Sequence, residues 1–112
     1  MTLPEAGMLL RIFVGESDRW RGRPLYEAIV LEARNQGLAG ATVVRGLMSY
    51  GAHSHLHTAK VLRLSEDLPI VVEIVDTEEK LQAFLPWLDE AMTGGLVTLE
   101  KVRVLRYRSP EQ

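Results

Sequence analysis

The 112 residues carry 46% hydrophobic and 25% charged side chains, enough for one ordinary core and too few for a second domain. Thirteen Lys and Arg against fifteen Asp and Glu leave a formal net charge of −2, which argues against a nucleic-acid partner, and the lack of cysteine excludes disulfides and thiolate metal sites. No stretch reaches the roughly 18 consecutive apolar residues of a membrane span, and MTLPEAG at the start has neither the basic nor the apolar region of a secretory leader, so a cytoplasmic protein without direct membrane insertion is expected.

Residues 8–15, MLLRIFVG, are apolar apart from Arg11 and stop at a glycine, the pattern of a strand buried on at least one face. ESDRWRGR follows as a polar turn. Pro24 stands at the first position of a helix of about four turns, in which Leu25, Ile29, Ala33 and Gln36 recur on one side until Gly37 stops it. Residues 41–48, ATVVRGLM, are β-branched and apolar and read as a second strand leading into the segment 49–60. KVLRL, beyond that segment, extends or pairs with the same strand. Pro69 then opens IVVEIVD, residues 70–76, the most strand-like run in the chain. Asp76 with Glu79 has the form of a capping box, with Thr77 an alternative cap, ahead of a helix whose Leu81, Phe84, Leu85, Leu88 and Met92 share one stripe. Pro86 lies inside that helix and should bend it near Gln82 without ending it. Thr93-Gly94-Gly95 closes the helix, and residues 96–107 form a last strand that turns basic at its end.

Strand, helix, strand, strand, helix, strand is the order of the split β-α-β, ferredoxin-like plan, an α+β fold with both helices on one face of an antiparallel sheet. Val71, Val75, Val43 and Leu47 cannot all turn inward with their alternating neighbours, so the other face is too apolar to be left in water. Oligomerisation through that face is the physical expectation.

Four stretches carry a resemblance: LRIFVGESDRWRGRPLYEAIV, GLAGATVVRG, HTAKVLRLSEDLPIVVEIVD and GGLVTLEKV. Together they resemble the PII-like family known as domain of unknown function one hundred and ninety, within the superfamily of nitrogen-regulatory PII and CutA-like proteins. The resemblance runs from about residue 10 to residue 106 and implies one PII-like domain over residues 1–112 with its core at about 8–107. It further implies a ferredoxin-like protomer, a homotrimer, and a small anionic effector such as an adenine nucleotide bound between subunits. A non-enzymatic signalling role with no required cofactor, and a membrane transporter as partner, follow from the same resemblance.

The chain's three histidines, His53, His55 and His57, alternate within SYGAHSHLHTAK. In a straight strand they would share a face with about 6.8 Å between successive positions, while zinc requires nitrogens about 2.0–2.1 Å from the ion, so two of them share a metal more readily than three. A solvated loop, a metal-responsive site of the CutA-like kind, and a partner-contacting loop all fit the composition. The resemblance favours the third, because the segment 49–60 connects the second and third strands, where PII proteins carry their mobile T-loop. Tyr50, His53, His55, His57 and Lys60 are then its contact residues, and imidazoles would make the contact responsive near neutral pH.

At the other candidate site, Arg103, Arg106 and Arg108 follow the Gly94-Gly95 pair. Guanidinium forks match phosphate oxygens and glycines let backbone amides approach an anion, so Gly94, Gly95, Arg103 and Arg106 form the candidate ligand set. Solvated strand-end charges, paired with Glu100 or a neighbouring subunit, are the alternative. Side-chain alternation places Arg103 and Arg106 on opposite faces unless the strand bulges or ends between them. Trp20, flanked by Arg19 and Arg21, could stack on a guanidinium or a base or seal a subunit contact, and Glu73, alone among valines, invites a cross-sheet partner in Arg11 or Arg45.

Overall fold

The ten residues of β1, Ala6–Gly15, alternate so that Leu10, Ile12 and Val14 are buried while Leu9, Arg11 and Phe13 are half-exposed. Strand β7, Pro69–Asp76, lies antiparallel beside it with the same alternation: Leu10 opposes Ile74, Ile12 opposes Val72, and Val14 opposes Ile70. Because directly opposed residues point to the same face, these six side chains form one apolar surface. Helices α1, Leu25–Asn35, and α2, Glu78–Ala91, cover it with Leu25, Ile29, Ala33, Leu81, Phe84 and Leu88. Fully burying a side chain of this size contributes about 1.5–3 kcal/mol, so this interface is the main source of stability. The computed structural model describes residues 6–50, 56–58 and 68–107.

Strand β8, Leu96–Arg103, pairs with the free side of β1, and β4, Thr42–Arg45, pairs with the free side of β7. The sheet order β4-β7-β1-β8, with antiparallel neighbours throughout, is the ferredoxin-like arrangement. The second expected strand breaks at Gly46, and the chain resumes as β5, Met48–Tyr50, paired with β6, Leu56–Thr58, as a separate two-stranded ribbon. The stretch expected as a turn contains a further hairpin, β2 at Arg19–Trp20 and β3 at Arg23–Pro24. KVLRL lies outside the described residues.

The helix ends follow local chemistry. Gly37 takes φ +80° just past the Gln36 C-cap of α1, which runs three turns rather than four, with Pro24 as its N-cap. At α2 the cap is Thr77, whose hydroxyl accepts from the Lys80 amide at 3.3 Å, and the helix continues through Pro86 to Ala91. Asp76 does something else. Its carboxylate is completely buried, and its oxygens accept from the Thr77 amide at 2.6 Å and from the distant Ala39 amide at 2.8 Å.

The face away from the helices presents Leu9, Phe13, Val44, Val71, Val75 and Leu96, as the pairing register requires. Val43 departs from expectation: it opposes Val72 and so belongs to the helix-bearing face, exposed only because β4 is an edge. In the middle of the open face Arg11 donates to Glu73 at 2.9 Å, the cross-strand partner that Glu73 called for. Arg45 pairs instead with Glu16.

Candidate functional site

Strand β8 ends at Arg103, and this termination decides the geometry of the basic segment. Had the strand continued, Arg103 and Arg106 would face opposite ways. Instead residues 104–107 leave the sheet, and both arginines line one cleft of about 740 Å³. Ala39, Gly40 and Thr42 form the facing rim, with Glu73 and Val75 from the open face of the sheet.

A chain of hydrogen bonds fixes the two sides of this cleft. The buried Asp76 holds the Ala39 amide, and the Ala39 carbonyl accepts from the Tyr107 hydroxyl at 3.2 Å. Tyr107 is next to Arg106, so the backbone carrying the guanidinium is tied through Ala39 to the core. The sequence form of a capping box concealed this role of Asp76, because Ala39 lies 37 residues away.

The Gly94-Gly95 turn sits at the opposite end of β8. Gly95 adopts φ +101°, and a Cβ there would lie 2.5 Å from the Phe13 carbonyl oxygen and 2.8 Å from the Met92 Cε, so only glycine fits. Gly94 has open space where its Cβ would be. The turn borders a second cleft of about 660 Å³ whose other wall is α2, through Gln82, Leu85 and Pro86. Pro86 has no N–H to give the Gln82 carbonyl, which leaves a helix-wall acceptor without its intrahelical donor. Eight residues of strand at about 3.3 Å each separate the glycine turn from Arg103 by roughly 25 Å. The four candidate ligand residues therefore divide into two pairs within one protomer.

At the same end as the glycine turn, the β5–β6 ribbon continues from β4, with His57 opposite Ser49 and Tyr50 opposite Leu56. His53, His55 and Lys60 lie outside the described residues, as does Arg108, and the metal and T-loop readings of segment 49–60 rest largely on those positions. The described residues contain no group of three or more His, Asp and Glu able to hold a metal ion.

The same end also carries the β2–β3 hairpin, where the polar run ESDRWRGR predicts only a turn. Arg21 and Gly22 both have positive φ, +48° and +84°, as in a two-residue type I′ connection between Trp20 and Arg23. Arg21 places its guanidinium carbon over Trp20, 4.7 Å from the ring centroid, and Trp20 meets Trp87 of α2 edge-on at 5.3 Å. The available signal was the Arg-Gly pair at the centre of W-R-G-R.

Residues 7–104 match the DUF190 family model, described as an uncharacterised ACR. The chain belongs to the DUF190 family. A UPF0166 protein of Aquifex aeolicus is 41% identical over 97 residues, covering 87% of this chain and 91% of the relative. Another UPF0166 protein, from Methanocaldococcus jannaschii, is 32% identical over 99 residues, covering 88% and 91%. Among solved structures, the DUF190 chain is similar to CPII, a nitrogen regulatory PII-like protein from Thiomonas intermedia bound to ADP, AMP and bicarbonate, with TM-score 0.63, 20% identity and 90% of each chain covered. A candidate PII-like signalling protein from Thermus thermophilus gives TM-score 0.64 at 19% identity, covering 88% of this chain and 89% of that one. These likenesses establish the PII-like, ferredoxin-like fold. No helix among the described residues is long and apolar enough to cross a membrane.

Proposed function

We propose that this DUF190 protein is a non-enzymatic PII-like regulator that assembles as a homotrimer through its open sheet face and binds an adenine nucleotide between subunits. The observation that carries the reading is the division of the anion-suited groups between the two ends of β8. Gly94 and Gly95 border one cleft while Arg103 and Arg106 line another, and neither cleft in a single protomer holds both pairs. A closed ring with heterologous contacts joins one end of a subunit to the other end of its neighbour, which is how the pairs would meet. Nucleotides in a PII-like protein of the same fold support the choice of ligand.

The open face supplies the assembly surface. Leu9, Phe13, Val71 and Val75 give it apolar area, and the Arg11–Glu73 pair is already mutually satisfied at 2.9 Å, so burial against a neighbour strands neither charge. Amides of the glycine turn would approach the phosphates, and the arginine forks would complete their coordination. The histidine-bearing ribbon, at the glycine-turn end, would carry the signal to a partner protein, for which the family resemblance points to a membrane transporter.

Calorimetric titration with ADP, AMP and ATP, paired with sedimentation equilibrium on the same sample, tests the proposal. The expected result is a trimer that takes up nucleotide. Replacing Arg103 or Arg106 by alanine should remove a charge-assisted hydrogen bond contributing about 1.5–3 kcal/mol. Affinity should then fall roughly tenfold or more for at least one of the two, with the trimer intact. A stable monomer at micromolar concentration, or a trimer indifferent to all three nucleotides, overturns it.

A further inference from the structure

We infer that the β2–β3 hairpin is a docking surface for an acidic segment of a partner protein. Arg19, Arg21 and Arg23 are all exposed and alternate over five residues. On a chain whose formal net charge is −2 this is a local concentration of positive charge. Among the described residues no ion pair neutralises it: those found are Arg11–Glu73 and Arg45–Glu16, and neither involves the hairpin. The two acids nearest in sequence are engaged elsewhere, Glu16 with Arg45 and Asp18 through Oδ2 with the Gly15 amide at 2.9 Å.

Two of the three arginines are also held in place. Arg19 donates to the Gly22 carbonyl at 2.8 Å, bracing the turn. Arg21 has its guanidinium carbon over the Trp20 ring, a cation–π contact that favours one placement of this exposed side chain. Trp20 is in turn fixed against Trp87, which stacks on the fully buried Phe84 at 5.7 Å and 26°. Ordering a long side chain on binding ordinarily weakens it, and for Arg19 and Arg21 part of that ordering exists before any partner arrives. Arg21 holds φ +48°, a conformation uncommon outside glycine and asparagine, at the tip that presents this cation.

The chemistry favours a protein carboxylate cluster over other polyanions. Membrane-binding basic clusters typically bring about four to eight Lys and Arg, and a Trp locked onto the core is not available to enter a bilayer. Duplex nucleic acid needs a broader basic face than three side chains of an acidic chain supply. Three forks beside an aromatic ring do suit two or three adjacent Asp or Glu side chains, and Arg and Trp are the residues enriched at the energetic centres of protein interfaces. This inference is independent of the nucleotide proposal.

The test is fluorescence anisotropy of a fluorescein-labelled hexaglutamate peptide added to the full chain at low ionic strength. Binding is expected, is screened away as salt is raised, and falls roughly tenfold or more in the double variant R21A/R23A. R34A, which removes an exposed arginine of α1, should leave it unchanged. Light scattering should show the same assembly mass for all three proteins. Absent binding, equal binding by the double variant, or binding to phosphatidylserine vesicles in place of the peptide overturns the inference. So does a double variant that changes assembly mass, because the hairpin would then be a contact between copies of this chain.

Discussion

Asp76 shows how a single residue reads one way locally and another in three dimensions. Next to Thr77 and three residues before Glu79 it has the form of a helix cap, and the cap is in fact Thr77. The carboxylate instead enters the core and serves the Ala39 amide, so the side chain couples the loop before β4 to the end of β7. Asp76→Ala would leave two partly buried amides without acceptors, at about 1–3 kcal/mol each. The urea midpoint should shift by the equivalent of roughly 3 kcal/mol, whereas Tyr107→Phe, which removes a single bond to the Ala39 carbonyl, should cost about 1 kcal/mol. A loss under about 1 kcal/mol for Asp76→Ala would show that water replaces the carboxylate and that Asp76 does not brace the arginine cleft. Nothing in the neighbourhood of Asp76 along the chain announces this partner, and pattern reading could not have found it.

Elements with strong periodicity were legible from sequence, and those that depend on pairing across a turn were less so. The apolar alternation of β1 and β7 and the stripe on α2 needed only local spacing, since residues of one face recur at fixed intervals. The β2–β3 hairpin has two residues per strand, too few to display a period or to be held by its own ladder. Its stability is borrowed from α2 through the Trp20–Trp87 contact. Trp20→Ala should therefore release the hairpin as a local unit, and hydrogen exchange of the amides from 19 to 23 should accelerate at least roughly tenfold. Protection in β1 and β7 should hold, because their ladder and core side chains are untouched. Equal acceleration in β1 would mean that the hairpin is part of the global core, and unchanged exchange at the hairpin would mean that its backbone turn alone sustains it.

For the whole molecule, the candidate ligand residues were legible as types and not as a place. Glycines and arginines suited to an anion stand near each other in sequence, yet β8 extends between them and separates the pairs by roughly 25 Å. Only a second subunit can close that distance, so the proposed site makes a prediction that no single-protomer site would make. Gly94→Asp places a negative charge at a position with room for a side chain and should repel an anionic ligand without disturbing the fold. R103A/R106A removes the groups at the other end. Each variant alone should fail to bind nucleotide while remaining trimeric. When the two are unfolded together, refolded at equal concentration and titrated, every mixed trimer contains one junction that pairs an intact glycine turn with intact arginines. A closed threefold ring formed at random has about three-quarters mixed trimers, each with one restored junction in three, so nucleotide uptake should return to about a quarter of the wild-type sites. Those sites should have wild-type affinity, since both halves of each are unaltered. If mixed trimers form and uptake stays at zero, the two ends of β8 do not share a ligand. Uptake by either variant alone, at wild-type affinity, would place the site away from the residues changed in it.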